Sequence, residues 1–200
     1  METNPVIEKK QLREQMHSFN QLYDWENISL SVLENLRKFS SQFSKKAIIG
    51  AYWPIKGEIN NLPFLKEWCD NDGTVCLPSI EDNQSPLAFY TWTPQTEMEI
   101  GQYQIPIPRQ REKKVLPDIL LVPLLAFDKE GYRLGRGIGF YDRTLHDLRL
   151  QKNIYAMGLA LEHQLISSIP HESHDEKLDC VITDKKVYVC CTTFKEPHFL

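Results

Sequence analysis

Residues 118–150 read DILLVPLLAFDKEGYRLGRGIGFYDRTLHDLRL. The run Ile119–Val122 is continuously apolar, the pattern of a strand covered on both faces. It leads into the glycine-rich segment Ala126–Arg143 and then a helix to about Leu150. The same rhythm extends upstream. Ala-Ile-Ile-Gly-Ala-Tyr-Trp-Pro, residues 47–54, reads as a buried strand closed by Pro54, and a helix from about Leu62 to Asn71 leads through Asn71-Asp72-Gly73 to a strand from Thr74 to Leu77. Downstream, Ile154–Leu161, Cys180–Thr183 and Val187–Thr192 read as further strands. Strands alternating with helices specify a mostly parallel sheet with helices on both faces, a Rossmann-like three-layer α/β fold. Two helices precede it: Glu8 to about Trp25, with Leu12, Met16, Phe19 and Tyr23 on one stripe, and about Leu30 to Phe43. From Ser79 to Pro117 the prolines and the basic cluster Arg109, Arg111, Lys113, Lys114 mark an excursion of edge strand and loop.

The chain has 200 residues, 42% of them hydrophobic, enough for one compact domain spanning 1–200. Its 23 basic and 27 acidic residues give a formal net charge of −4, which argues against a general nucleic-acid coat. The apolar stretch from Ile119 to Phe127 is interrupted by Pro123 and falls far short of the roughly 20 residues of a membrane span. The polar amino terminus lacks a secretory pattern, so a cytoplasmic protein is expected. The five cysteines, Cys69, Cys76, Cys180, Cys190 and Cys191, have no Cys-x-x-Cys spacing and read as free thiols.

Chemistry concentrates where a strand delivers glycines to a helix. Gly131 to Arg143 combines four glycines with three arginines, and bare backbone with positive charge is the composition of an oxyanion or phosphate cradle. The same composition also suits a turn that needs several positive φ angles. The segment lacks the Lys-Ser/Thr of a Walker loop and misses the Rossmann glycine spacing. Lys9 and Arg13, four residues apart, lie on one helical face beside the apolar stripe, either reaching inward or forming a solvated edge. Trp53 ends a strand, as a wall for a flat heterocycle or as core. His171 and His174 read as loop residues rather than a zinc site.

Gly135-Arg-Gly-Ile-Gly-Phe-Tyr-Asp142-Arg closely resembles the signature of the 5-formyltetrahydrofolate cyclo-ligase family. Lys9-x-x-x-Arg13, Tyr52-Trp-Pro-Ile-Lys-Gly-Glu58 and His174-Asp175-x-x-Leu-Asp179-x-Val-Ile-Thr are similar to three other family motifs, in the family's order. Phe140 departs from the tyrosine the family often carries. The resemblance implies conversion of 5-formyltetrahydrofolate to 5,10-methenyltetrahydrofolate with ATP and Mg²⁺. The formyl oxygen would attack the γ-phosphate, and N10 would close the ring and expel phosphate. By that resemblance Lys9, Arg13 and the stretch Arg133, Leu134, Gly135, Arg136, Gly137, Ile138, Gly139, Phe140, Tyr141 bind ATP. Arg133 and Arg136 face phosphate, and Arg136 and Tyr141 are the catalytic pair. Trp53 and Glu58 bind the folate, Glu58 through the pterin N–H groups. Asp142 and Asp175 ligate Mg²⁺, with Asp179 a second candidate. The expected partners are small molecules only, with no nucleic acid and no membrane, on a monomer.

Two rival readings use the same residues. A sugar-phosphate isomerase would exploit the glycine–arginine cradle without ATP, but it would need a placed general base rather than the Lys9–Arg13 pair. A nucleic-acid binder would use Arg109–Lys114 and Arg133–Arg149, against which stand the local acids Asp128, Glu130, Asp142 and Asp147.

Overall fold

The computed structural model describes residues 5–20 and 23–190, except the side chain of Phe19. The two expected amino-terminal helices are α1 (Pro5–Asn20) and α2 (Trp25–Ser40), each shifted towards the amino terminus of its expected range. The carboxylate of Asp24 accepts the N–H groups of Glu26 and Asn27 at 3.2 and 3.4 Å. Such an N-cap starts a helix wherever it falls, so α2 begins five residues before the expected Leu30. Of the expected α1 stripe, Met16 is buried and Leu12 half-buried, and Phe19 is outside the described side chains.

The remaining elements are β1 (Ile48–Gly50), α3 (Leu62–Asp70), β2 (Thr74–Ser79), β3 (Ala88–Trp92), β4 (Met98–Ile100), β5 (Pro106–Pro108), β6 (Ile119–Pro123), β7 (Ala126–Phe127), β8 (Arg133–Leu134), α4 (Phe140–Gln151), β9 (Tyr155–Leu159), β10 (Cys180–Ile182) and β11 (Val187–Val189). The last strand was expected to reach Thr192, and residues 191–192, Cys191 included, are outside the described residues. Seven strands form one sheet in the order β11-β10-β9-β6-β1-β2-β3. Neighbours from β10 to β2 pair parallel, while β3 and β11 run antiparallel at the two edges. The Ser79–Pro117 excursion supplies the edge strand β3 and a separate β4–β5 hairpin.

Strand periodicity sorts the core. Ile119 and Leu121 of β6 pack with Val32, Leu36 and Leu65 of α2 and α3, and Leu120 and Val122 pack with Leu145 and Leu148 of α4 on the other face. Helices therefore cover both faces, as expected. In α1, Met16 packs instead with Leu125, Ala126, Leu134 and Ile169, just beyond the carboxyl end of β6. Cys76 and Cys180 are buried free thiols, and Cys69 and Cys190 are half-buried. Among the described residues no helix is long and apolar enough to cross a membrane.

The β7–β8 hairpin, which launches the glycine segment, is held from inside by Asp128. Its Oδ1 accepts the N–H groups of Glu130 and Tyr132, both at 3.0 Å, and its Oδ2 accepts that of Ile169 at 2.9 Å. Asp128→Ala leaves three backbone donors without their acceptor and is expected to cost about 3 kcal/mol in urea unfolding. A loss below about 1 kcal/mol would show that the hairpin stands without this carboxylate.

Candidate active site

A cavity of about 560 Å³ opens over the carboxyl ends of β1, β2 and β6, lined there by Tyr52, Trp53, Pro78, Pro123 and Leu124. The connections from β1 and β6 leave in opposite directions across the sheet, because β2 lies on one side of this pair and β9 on the other. Such a switch point is where open parallel sheets leave a crevice. Lys9 and Arg13 of α1, Gly135–Asp142, the β4–β5 hairpin and the segment carrying Glu172 and Asp175 complete the walls.

The glycine segment turns through left-handed backbone at Gly137 (φ 101) and Gly139 (φ 76). At Gly137 a Cβ would sit 3.2 Å from the guanidinium carbon of Arg13, so a side chain there would meet both strain and a neighbour. Arg13 Nε donates to Gly135 O at 2.9 Å, locking α1 onto the loop, and its Nη groups have no protein partner among the described residues. Gly139 is the N-cap of α4 and supplies no side-chain acceptor, so the first turn of this helix, Phe140–Asp142, lines the cavity without a side-chain cap on its N–H groups. Backbone donors and a guanidinium with uncommitted Nη groups at one place fit a phosphate group.

Not every expected phosphate ligand points that way. Arg133 was expected to face phosphate; instead its side chain is only 4% exposed, with Nη2 on Asp142 Oδ1 at 2.7 Å and Nη1 on Glu176 O. Its place in the β8 ladder turns it inward, and its role is to tie α4 to the 172–178 segment. Leu134 packs with Met16 and contributes side-chain bulk. Lys9 reaches inward but is committed to Asp175 at 2.5 Å and Glu172 at 3.4 Å. Arg136 crosses the cavity to Glu58 Oε1, 3.1 Å from its Nε.

Asp142 and Asp175 both line the cavity, each already paired with one cation. Burial works against the charge on Asp175, and the hydrogen bonds from Lys9 and Glu172 N more than offset it, holding the carboxyl below its ordinary range. Asp142 Oδ2 and Asp175 Oδ1 have no partner among the described residues. No group of three or more His, Cys, Asp or Glu forms a metal cage among those residues. Two carboxylates, each with one uncommitted oxygen, beside a phosphate surface fit Mg²⁺, which is often held by one or two carboxylates together with phosphate and water. Asp179 does not line the cavity. Its Oδ2 accepts Ala156 N at 2.8 Å and Arg149 Nη2 at 3.3 Å, fastening β10 to β9. His171 stacks on Tyr132 with ring centroids 3.7 Å apart, and no metal group forms there.

The opposite wall is apolar. Trp53 both lines the cavity and packs against the core, so its two readings hold together. Tyr141 is only partly exposed, and burial, followed by the charge of Glu58, pushes its phenol far up, which keeps it a neutral O–H. Tyr103, Ile105 and Ile107 bring the β4–β5 hairpin over the cavity. These residues carry no motif, and the only signal for them is an aromatic and two isoleucines set between prolines. The Tyr103 ring meets Phe140 edge-on at 6.5 Å, and Arg143 lies over the Phe140 ring at 5.1 Å. The Phe140 ring thus packs between Tyr103 and Arg143. The basic cluster of the excursion is largely paired, Arg109 with Glu97, Arg111 with Glu99 and Lys114 with Glu81.

The sequence model of the 5-formyltetrahydrofolate cyclo-ligase family matches residues 7–184. The chain is 33% identical over 145 residues to the 5-formyltetrahydrofolate cyclo-ligase of Escherichia coli K12, covering 70% of this chain and 79% of the relative. It is 36% identical over 135 residues to the Haemophilus influenzae protein of the same name, covering 65% and 72%. The NMR structure of the Aquifex aeolicus 5,10-methenyltetrahydrofolate synthetase superposes with a TM-score of 0.76 at 27% identity, covering 95% of this chain and 97% of that one.

Burial raises the carboxyl pKa of Glu58, with Arg136 and Ile55 N opposing. A carboxyl whose folded value is raised binds its proton more tightly in the folded state. Folding stability is therefore lost as the pH climbs from the ordinary Glu value of about 4.3 through the raised one. Glu58→Gln has no proton to lose, so its melting temperature relative to the parent protein should rise between pH 4 and pH 7. A difference that shrinks over that range would contradict the burial of this charge.

Proposed function

Since the chain belongs to the 5-formyltetrahydrofolate cyclo-ligase family, we propose that it converts 5-formyltetrahydrofolate to 5,10-methenyltetrahydrofolate with ATP as phosphoryl donor and Mg²⁺, releasing ADP and phosphate. The observation that carries the two-substrate reading is that one cavity holds two different surfaces. The uncapped start of α4 with Gly137, Gly139 and Arg13 suits a triphosphate. The buried carboxylate of Glu58, with Trp53, Ile55 and Tyr103 on the same cavity, suits a flat heterocycle bearing N–H donors.

A formamide carbon is a poor electrophile, and the formyl oxygen becomes a leaving group only when phosphorylated. The formyl oxygen attacks the γ-phosphorus as ADP leaves; N10 then adds to the formyl carbon and gives up its proton, and inorganic phosphate departs with the former formyl oxygen. The protein's task is alignment and charge stabilisation. Arg13 holds the loop through Nε and offers its Nη groups to phosphate oxygens. The α4 N–H groups supply fixed donors, which need no reorganisation when charge develops. Mg²⁺ supplies neutralisation of the triphosphate, and Asp142 and Asp175 are the residues to hold it, set in place by Arg133 and Lys9. Tyr141 donates its O–H to a ligand atom, and the β4–β5 hairpin excludes water. Arg13 together with Glu58 favours this chemistry over a sugar-phosphate isomerase.

Three measurements test the proposal. Ring closure extends conjugation, so a new near-ultraviolet absorbance band should form only with folate, ATP and Mg²⁺ together. No band under any nucleotide or metal condition would overturn the proposal. Arg13→Ala should lose about 2–4 kcal/mol of transition-state stabilisation in kcat/KM, the scale for removing a preorganised donor. Unchanged kinetics in the folded variant would return Arg13 to a packing role. Asp142→Asn should raise the Mg²⁺ concentration needed for half-maximal rate, because a neutral amide is a poorer ligand for a hard cation.

A further inference from the structure

Glu58 and Arg136 are 78 residues apart in sequence, one on the connection after β1 and the other in the glycine segment, yet they close on each other across the cavity. Arg136 Nε donates to Glu58 Oε1 at 3.1 Å, and Nη2 donates to Lys56 O at 3.2 Å. The Glu58 side chain is 8% exposed and that of Arg136 35%, so Arg136 covers Glu58 from the solvent side. Glu58 Oε2 is taken by Ile55 N at 3.2 Å. Oε1 is thus the oxygen that a ligand N–H must win, and the group to be displaced is Arg136.

We infer that the Arg136–Glu58 ion pair is a shared plug that couples the two substrate sites, so that each substrate binds more tightly when the other is present. The inference rests on the proposed function, which gives Glu58 to the folate and Arg136 to the phosphates. Arg136 cannot leave for a phosphate while Glu58 stays buried without a partner, since an uncompensated buried charge is strongly unfavourable. A pterin N–H that replaces Arg136 on Oε1 removes that penalty and frees a guanidinium located between Gly135 and Gly137, where phosphate is proposed to bind. A triphosphate that draws Arg136 away likewise opens Oε1 for the pterin. The pair has to be broken once for two ligands, and whichever binds second is spared that cost, which is positive coupling and must be reciprocal.

The test is calorimetric titration of the full chain with β,γ-imido-ATP and Mg²⁺, alone and with saturating 5-formyltetrahydrofolate, and the reverse titration. Each ligand should lower the Kd of the other by about fivefold or more, and by the same factor both ways. Glu58→Gln should weaken folate binding, tighten binding of the nucleotide analogue on its own because Arg136 is released, and bring the coupling factor close to one. Arg136→Gln should abolish the coupling too. A coupling factor of one in the parent protein, or coupling that survives both substitutions, overturns the inference. If Glu58→Gln leaves the folate Kd unchanged, the assignment of Glu58 to the folate has failed and the coupling falls with it. If folate weakens as expected while the analogue ignores folate in the parent protein, only the coupling has failed.

Discussion

The site depends on a buried guanidinium. Arg133 extends from the two-residue strand β8 and joins its own hairpin and the first turn of α4, through Asp142, to the distant 172–178 segment, through Glu176 O. Removing it would leave Asp142 without its partner at the mouth of the helix, and losing one member of a buried pair costs far more than the pair contributes. Around this contact the other charges fall into place. Lys9 holds Asp175, and Asp142 also accepts Glu176 N at 3.2 Å. Arg149 binds both Glu176 and Asp179 on the far side of the same segment. The two carboxylates assigned to the metal are thus prepositioned by cations, while one oxygen of each is left for other work.

Much of the architecture is legible in hydrophobic pattern because parallel strands buried on both faces leave an unmistakable signal. Ile119–Val122, Ile154–Leu161 and Cys180–Thr183 all mark strands of the central sheet. Helix boundaries were harder. The apolar stripe runs on in phase to Tyr23, past Asn20 where α1 ends, and the Asp24 cap starts α2 before its expected Leu30. The β4–β5 hairpin was legible only as loop, because its strands are three residues each and carry prolines, and what defines them is mutual pairing.

At the site, residue types were easier to read than orientations. The glycine segment and the Lys9–Arg13 spacing pick out residues that line one cavity, yet spacing does not say whether an arginine points at a ligand or at a carboxylate. Arg133 and Arg136 lie three residues apart in one motif and do different jobs, since Arg133 sits inside a strand pair and Arg136 on the exposed turn beyond it. Asp175 and Asp179 are likewise four residues apart, and only the former lines the cavity, because the latter is drawn to Ala156 N as the chain enters β10. Such choices are made by contacts between segments more than a hundred residues apart in some cases, as between Lys9 and Asp175.

The β3 edge of the sheet has a bearing on how these molecules behave when crowded. β3 has five residues and pairs with β2 along one side; its outer side would be a ready template for a strand from another molecule. Residues 114–115 lie along that side, with Val115 N donating to Phe89 O at 2.9 Å and Lys114 bridging to Tyr90. The segment is too short to recruit a further strand, and Lys113 and Lys114 bring charge to the rim. The loop that looks like a digression between two halves of the sheet therefore acts as a selvedge, a finished border along β3 that hinders pairing by a stranger's backbone at this edge.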